Sequence, residues 1–217
     1  MTRPLKVAGV LAALACAGLL QAQQGKPPAA AQAPQPPRAP LSPMTSEQVL
    51  VLPVQLLRAD SGAWVDQSGW EAFRRELDDS IGAAIASRGV GRRWKYASDA
   101  VRIAKRNPDY VSDVYNMGVQ SLRLAKFKTG DLIPDLFNNN LRLLIGIADA
   151  RYALVPYEAW FVTRNGQQIV VLRLALVDGR AGSFVWFGEV GTDPSATRPR
   201  SITGILASRV ADLVAVQ

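Results

Sequence analysis

No histidine occurs in the 217 residues, and the one cysteine, Cys16, lies in an apolar stretch near the start. Histidine-based triads, Cys–His dyads and histidine-ligated zinc are thereby excluded. The chain also lacks a Gly-x-x-x-x-Gly-Lys phosphate loop, a Gly-x-Ser-x-Gly elbow and a Ser-x-x-Lys motif, which removes the commonest nucleotide-binding and acyl-transfer chemistries. Gly89 and Gly91 are followed by Trp94 where a dinucleotide loop needs its third glycine, so they read as a helix stop. Carboxylates remain. Asp78 and Asp79 are neighbours on an expected helix, where adjacent side chains diverge by about 100° and cannot share a proton. Glu158 and Glu189 fall on expected neighbouring strands and can approach across the sheet, but the reading taken is that both lie on an exposed strand face. On this reading the chain has no assigned catalytic, cofactor-binding or metal-ligating residue, and an enzyme is not expected.

The remaining candidate is a run that mixes charge with aromatic rings, Arg92-Arg93-Trp94-Lys95-Tyr96, with Arg102, Lys105 and Arg106 nearby in sequence. Arginine and aromatic side chains dominate contact energies at interfaces. The run is therefore a candidate docking face for an acidic partner or an anionic polymer. A second reading stays open, in which charges on a short edge strand prevent sheet-to-sheet pairing and Trp94 belongs to the core.

The chain carries a formal net charge of +7. Arg3 and Lys6 precede an uncharged apolar run, Val7 to Leu20, and that is the layout of a secretory signal. The run is shorter than the roughly 18 residues a membrane-spanning helix needs. Two processing readings stay open. Cleavage after Ala22 makes residues 1–22 a discarded signal peptide; alternatively Ala13-Leu14-Ala15-Cys16 acts as a lipobox, residues 1–15 are removed and Cys16 is acylated. Either way the mature chain has at most one cysteine and no internal disulfide, and a domain of this length can bury enough apolar surface without one. Basic charge on an exported protein points to anionic lipid, a cell-wall polymer or an acidic protein face, not to nucleic acid.

Residues 23–43, "QQGKPPAAAQAPQPPRAPLSP", hold half of the chain's 14 prolines and read as an extended spacer with a reach on the order of 60 Å. Residues 44–217 then read as one α/β domain. "QVLVLPV", Gln48 to Val54, is apolar on both faces, as in a strand covered from both sides. Ser68-Gly69-Trp70-Glu71 has the pattern of a capping box ahead of Trp70, Phe73, Leu77, Ile81 and Ile85 at helical spacing. Ser98 is the expected cap of a helix ending at Asn107, and Pro108 the expected start of another bearing Val111, Val114, Tyr115, Gly118 and Leu122. A further helix is expected near residues 134–149. Asn165-Gly166 is a strong hairpin signal, and a second turn at residues 178–182 leads to a third strand. Ser201 is the expected cap of a closing helix with Ile202, Ile205, Leu206, Val210 and Leu213 inward. The expected fold class is α/β (α+β): a mixed sheet with a C-terminal three-stranded antiparallel meander, helices packed on it and a helical insertion in the middle.

This order resembles a group of bacterial envelope domains: the amino-terminal domain of TolB, the periplasmic part of CsgG, and the lipoprotein activators of penicillin-binding proteins. The residues that carry the resemblance are "VLVLPV", "ADARYALVP" (Ala148 to Pro156) and "LRLALVDGRAGSFVWFGEV" (Leu172 to Val190). It implies an exported, non-catalytic protein, periplasmic or on the periplasmic face of the outer membrane. Such a protein binds an envelope protein or cell-wall polymer and touches a membrane only through an acylated Cys16. The alternative it leaves open is a structural subunit of a homo-oligomeric export or assembly complex. No site residues come with the resemblance. The section from Ser98 to Asp149 is longer than a minimal version of the fold, and no pair of amphipathic hairpins of the CsgG pore type is evident.

Overall fold

Six strands form one sheet whose first member, β1 (Val49–Val51), is wholly buried. A computed structural model describes residues 39–60, 64, 67–90, 93–111, 113–124 and 126–215. All of them belong to one unit, residues 37–217. The expected signal, both cleavage readings, Cys16, most of the spacer and Arg92 lie outside the described residues.

β1 runs parallel to β3 (Trp94–Lys95) on one side and to the first half of β4 (Tyr152–Arg164) on the other. β2 (Leu56–Ala59) runs parallel to the second half of β4. Pro53 lies between β1 and β2, where a missing backbone N–H interrupts no ladder. β5 (Gln167–Asp178) and β6 (Ser183–Gly191) complete an antiparallel meander with β4. Asn165 and Gly166 both have positive φ, 50° and 72°, the conformation a two-residue type I′ hairpin requires.

Both faces of the sheet are covered, which is why "VLVLPV" does not alternate. On one face lie α1 (Trp70–Ser87) and α5 (Ile202–Val214), with Phe73, Leu77, Ile81, Leu206 and Val210 packed on Val49, Val51, Leu154 and Leu172. On the other lie α2 (Ala97–Arg106), α3 (Gln120–Leu124) and α4 (Asp135–Ala148), with Ala100, Leu122, Phe137, Leu141 and Leu144 on Leu50, Ala153, Val155 and Val177. Each fully buried large aliphatic or aromatic side chain contributes roughly 1.5–3 kcal/mol. The mixed sheet, the meander and the five helices agree with the expected fold class.

The structure departs from the sequence reading at five local points. The folded unit takes in the end of the expected spacer: Ala39 and Leu41 are buried, and Leu41 N donates to Leu213 O. α1 starts at Trp70 with Gly69 at the cap, and Ser68 lies in a short 3-10 turn. α2 is capped from Tyr96, whose N–H is received by the Asp99 carboxylate, instead of from Ser98. The expected helix from Pro108 does not form. Gly118 takes φ +86°, and the Asp113 carboxylate turns the chain by accepting from Tyr115 N. The loop's backbone is satisfied instead by the buried side chain of Gln55, which donates to Val114 O at 2.8 Å and accepts from Met117 N at 3.0 Å. At the closing helix, Ser201 Oγ accepts from Gly204 N as expected. There Ile202, Leu206 and Val210 are buried as expected, Ile205 and Leu213 are only half-buried, and Thr203, Ala207, Ala211 and Val214 complete the buried face.

Candidate functional site

β4 carries Pro156 in its middle, and a proline inside a strand marks an irregularity. Pro156 pairs with Leu174 and Glu158 with Arg173, so Tyr157 is the extra residue of a bulge. A bulge reverses the inward–outward alternation of the strand beyond it. Glu158 and Trp160 consequently share a face with Arg173 of β5 and Glu189 of β6, on the side of the sheet that α4 covers only at its other end.

Glu158 is completely buried, and a buried carboxylate must be paired. Arg173 Nη1 donates to Oε2 at 2.9 Å, and Arg123 Nε, from α3, lies 3.5 Å from Oε1. The second contact is an ion pair at a distance too long for a good hydrogen bond, and Oε1 has no other partner among the described residues. Arg173 also reaches Glu189 at 3.7 Å, whose side chain is 65 % exposed. Glu158 thus does not belong to an exposed strand face, as the sequence suggested, while Glu189 does. The two carboxylates meet on one guanidinium instead of flanking a cleft.

Trp160 completes the cluster. The Arg58 guanidinium lies 4.1 Å from the Trp160 ring centre and that of Arg173 5.2 Å from it. The indole N–H donates to Asp60 Oδ1 at 3.1 Å. Cation–ring contacts of this kind contribute ~0.5–2 kcal/mol each. They also hold two guanidiniums in fixed positions beside a half-buried ring. Sequence reasoning missed Arg58, Arg123, Trp160 and Arg173; the one local signal was Pro156.

The expected basic aromatic run is dispersed by the fold. Arg93 is exposed and donates to Ser46 O. Trp94 is 4 % exposed, packs in the core and donates its indole N–H to Met44 O. The Lys95 ammonium binds Ala148 O at the end of α4, a favourable place for a cation. Tyr96 is half-buried, its ring against Gly82.

Asp78 and Asp79 diverge as expected. Asp79 is exposed, whereas Asp78 is buried and accepts from Val54 N at 2.8 Å. Burial pushes the Asp78 carboxyl up to about 7, against the opposing pull of the Val54 N–H and Arg74.

No family model matches the chain, and no curated protein matches it. Solved structures do. The chain is similar to the PelC dodecamer from Paraburkholderia phytofirmans at 12 % identity and a TM-score of 0.37, over 79 % of this chain and 91 % of that one. It is similar to the lipoprotein GNA1162 from Neisseria meningitidis at 16 % identity and a TM-score of 0.38, over 76 % and 93 %. To E. coli LpoB the identity is 14 % and the TM-score 0.38, over 88 % and 84 %.

Proposed function

We propose that this chain is an exported, non-catalytic protein of the bacterial envelope that binds another envelope component through the Arg58–Trp160–Arg173 platform. The observation that carries the recognition surface is the fixed pair of guanidiniums on one indole, backed by the buried Glu158. Preset arginine and tryptophan side chains are the residue types that supply most interface energy. They suit a partner that presents carboxylates next to an apolar or aromatic group. Export is supported by Arg3, Lys6 and the apolar run Val7 to Leu20, and reach by the proline-rich segment after it. A tether sets effective concentration and a rigid domain supplies the contact, so the mechanism is positional. Cys16 is either the acylated anchor or a discarded signal residue. Arg93, the exposed described member of the basic run, is a secondary contact at a distant edge of the sheet.

The test is a photo-crosslinking residue at position 58 of the chain expressed in a Gram-negative host. A discrete crosslinked envelope protein or glycan that disappears on Trp160→Ala supports the reading. An unchanged crosslink in that variant, or none at all, overturns it.

A second reading, a subunit of a homo-oligomeric assembly, is favoured by α4. Its buried side faces the sheet, yet Leu136, Leu143 and Ile147 form an outward stripe at helical spacing, with Leu132 just ahead of it. Light scattering on the purified chain separates the two: a mass several times the monomer's, lost on Leu143→Glu, is the result this reading requires.

A further inference from the structure

β6 ends the strand order and is the longest of the sheet's edge strands, nine residues against two for β3 and four for β2. Long open edges pair with other chains, and proteins guard them by short length, lysine, proline or a covering segment. β6, "SFVWFGEVG", has neither lysine nor proline, and its one charge is Glu189. From Val185 to Gly191 none of its residues is buried, whereas Leu174 to Asp178 of neighbouring β5 all are.

Residues of an antiparallel strand turn their backbone groups alternately toward the neighbour and away from it. Two bonds fix the phase. Thr192 N donates to Val170 O of β5 at 3.0 Å, and Gly191 O, turned the other way, accepts from Arg209 of α5. Phe187 and Glu189 share the phase of Gly191, so the N–H and C=O of both point away from β5. Among the described residues no hydrogen bond reaches these four groups.

The open stretch is closed at both ends. Val185 is the extra residue of a bulge, since Phe184 pairs with Val177 and Trp186 with Leu176. Phe184 is already bonded from outside: its O accepts from Gly130 N at 2.8 Å and its N donates to Asp131 O at 2.9 Å. Arg209 stands at the other end. The window is Trp186 to Val190.

We infer that this window takes up an extended segment of another protein as an added strand, with a basic side chain beside Glu189 and β-branched ones on the opposite face. Backbone donors and acceptors repeated at every second residue are matched in full by another extended backbone. On one face lie Phe187 and Glu189. The Glu189 side chain is 65 % exposed and its ion-pair contact, Arg173, is 3.7 Å away, so it is the charge an added strand meets. On the other face lie Trp186 and Val190, with the Trp186 ring over Gly188, where a Cβ would come within 2.2 Å of it. An aromatic side chain opposite a β-branched one is a favourable cross-strand pair. A second copy of this chain fits less well. Its β6 runs on into Thr192, still bonded to its own β5, and paired antiparallel it would meet Gly130 and Asp131 of the first copy. A short segment ends within the window. The inference rests on neither the arginine–tryptophan platform nor the outward stripe of α4.

Amide hydrogen exchange on the full chain, read by NMR, is the test, with the peptide acetyl-VTVKVT-amide as the probe. Saturating peptide is expected to slow exchange at the Phe187 and Glu189 amides by about tenfold or more. Two versions of the peptide, N-methylated at alternate residues, separate strand addition from apolar adhesion. The one methylated on the edge that faces β6 binds about tenfold more weakly, and the other binds like the parent. Acetyl-VTVEVT-amide binds more weakly than the lysine peptide, and Glu189→Lys reverses that order; the N-methylated pair carries the test should this variant fail to fold. Unchanged exchange at both amides, equal binding of the two N-methylated peptides, or a preference that Glu189→Lys leaves unmoved overturns the assignment. Slow exchange at both amides without peptide overturns it too. Slowing that grows with protein concentration gives the window to a second copy, and slowing independent of concentration gives it to a segment of this chain.

Discussion

Removing either partner of the Glu158–Arg173 pair should be unequal, because the two ends differ in burial. Glu158 is completely enclosed, while the Arg173 side chain is 28 % and that of Arg123 40 % exposed. Arg173→Met strands a buried carboxylate whose other contact is Arg123 at 3.5 Å, and breaking a buried pair in this way costs about 3–5 kcal/mol. Glu158→Gln instead leaves two guanidiniums that reach water, with Arg173 still beside Glu189 at 3.7 Å. Solvent screening reduces that loss to about 1–2 kcal/mol. The double variant Glu158→Leu/Arg173→Met removes both charges and should recover most of the single-variant loss, since an apolar replacement of a buried pair is often neutral. Urea denaturation at pH 7 with linear extrapolation measures all three. A larger loss for Glu158→Gln than for Arg173→Met, or a double variant as unstable as the sum of the singles, would show that burial does not set the asymmetry.

Asp78 makes stability depend on pH. Its folded value, about 7, lies above the ordinary 3.8, so the folded state binds the proton more tightly than the unfolded one. That contribution is full below pH 4 and is lost as pH rises through 7, with a limit of ~4 kcal/mol; Asp78→Asn should flatten the fall in a series of melts from pH 5 to 8. Asp178 acts in a lower window, because hydrogen bonds from Ala181 N, Arg151 and Arg180 N outweigh burial and hold its carboxyl below its ordinary value; its contribution is lost only under acid, as pH drops through the depressed folded value. Gln55→Leu strips Val114 O and Met117 N of their partner and should cost roughly 1–3 kcal/mol per stranded group, with hydrogen exchange at the Met117 amide rising sharply; slow exchange there would contradict the role given to Gln55. Gly166→Ala meets no neighbouring atom but must hold φ +72°, so a loss of about 1–2 kcal/mol is expected from backbone strain.

What could be read from the sequence was set by local chemistry. The doubly buried "VLVLPV", the stripe from Phe73 to Ile85, the Asn165-Gly166 hairpin and the Ser201 cap each depend on residues within a few positions, and each appears in the structure. The segment after Pro108 failed because its backbone is satisfied by Gln55, some 60 residues earlier; no window along the chain contains that bond. Glu158 was misplaced for a similar reason. One extra residue at Tyr157 reverses the strand's alternation, and the cations that hold Glu158 come from β5 and α3. Of the two readings of the run from Arg92 to Tyr96, its described residues fit the edge-strand one: β3 ends the strand order, Trp94 enters the core and Lys95 reaches the end of α4.

Export to the envelope is decided by the intact mass of the mature chain from a Gram-negative host, taken with membrane fractionation. An exported protein begins at an acylated Cys16 in the membrane fraction, or at Gln23 in the periplasmic fraction. The first outcome makes the proline-rich segment a tether, and the second a leader on a freely diffusing domain. A mass that begins at Met1, recovered from the cytoplasm, would overturn assignment to the envelope.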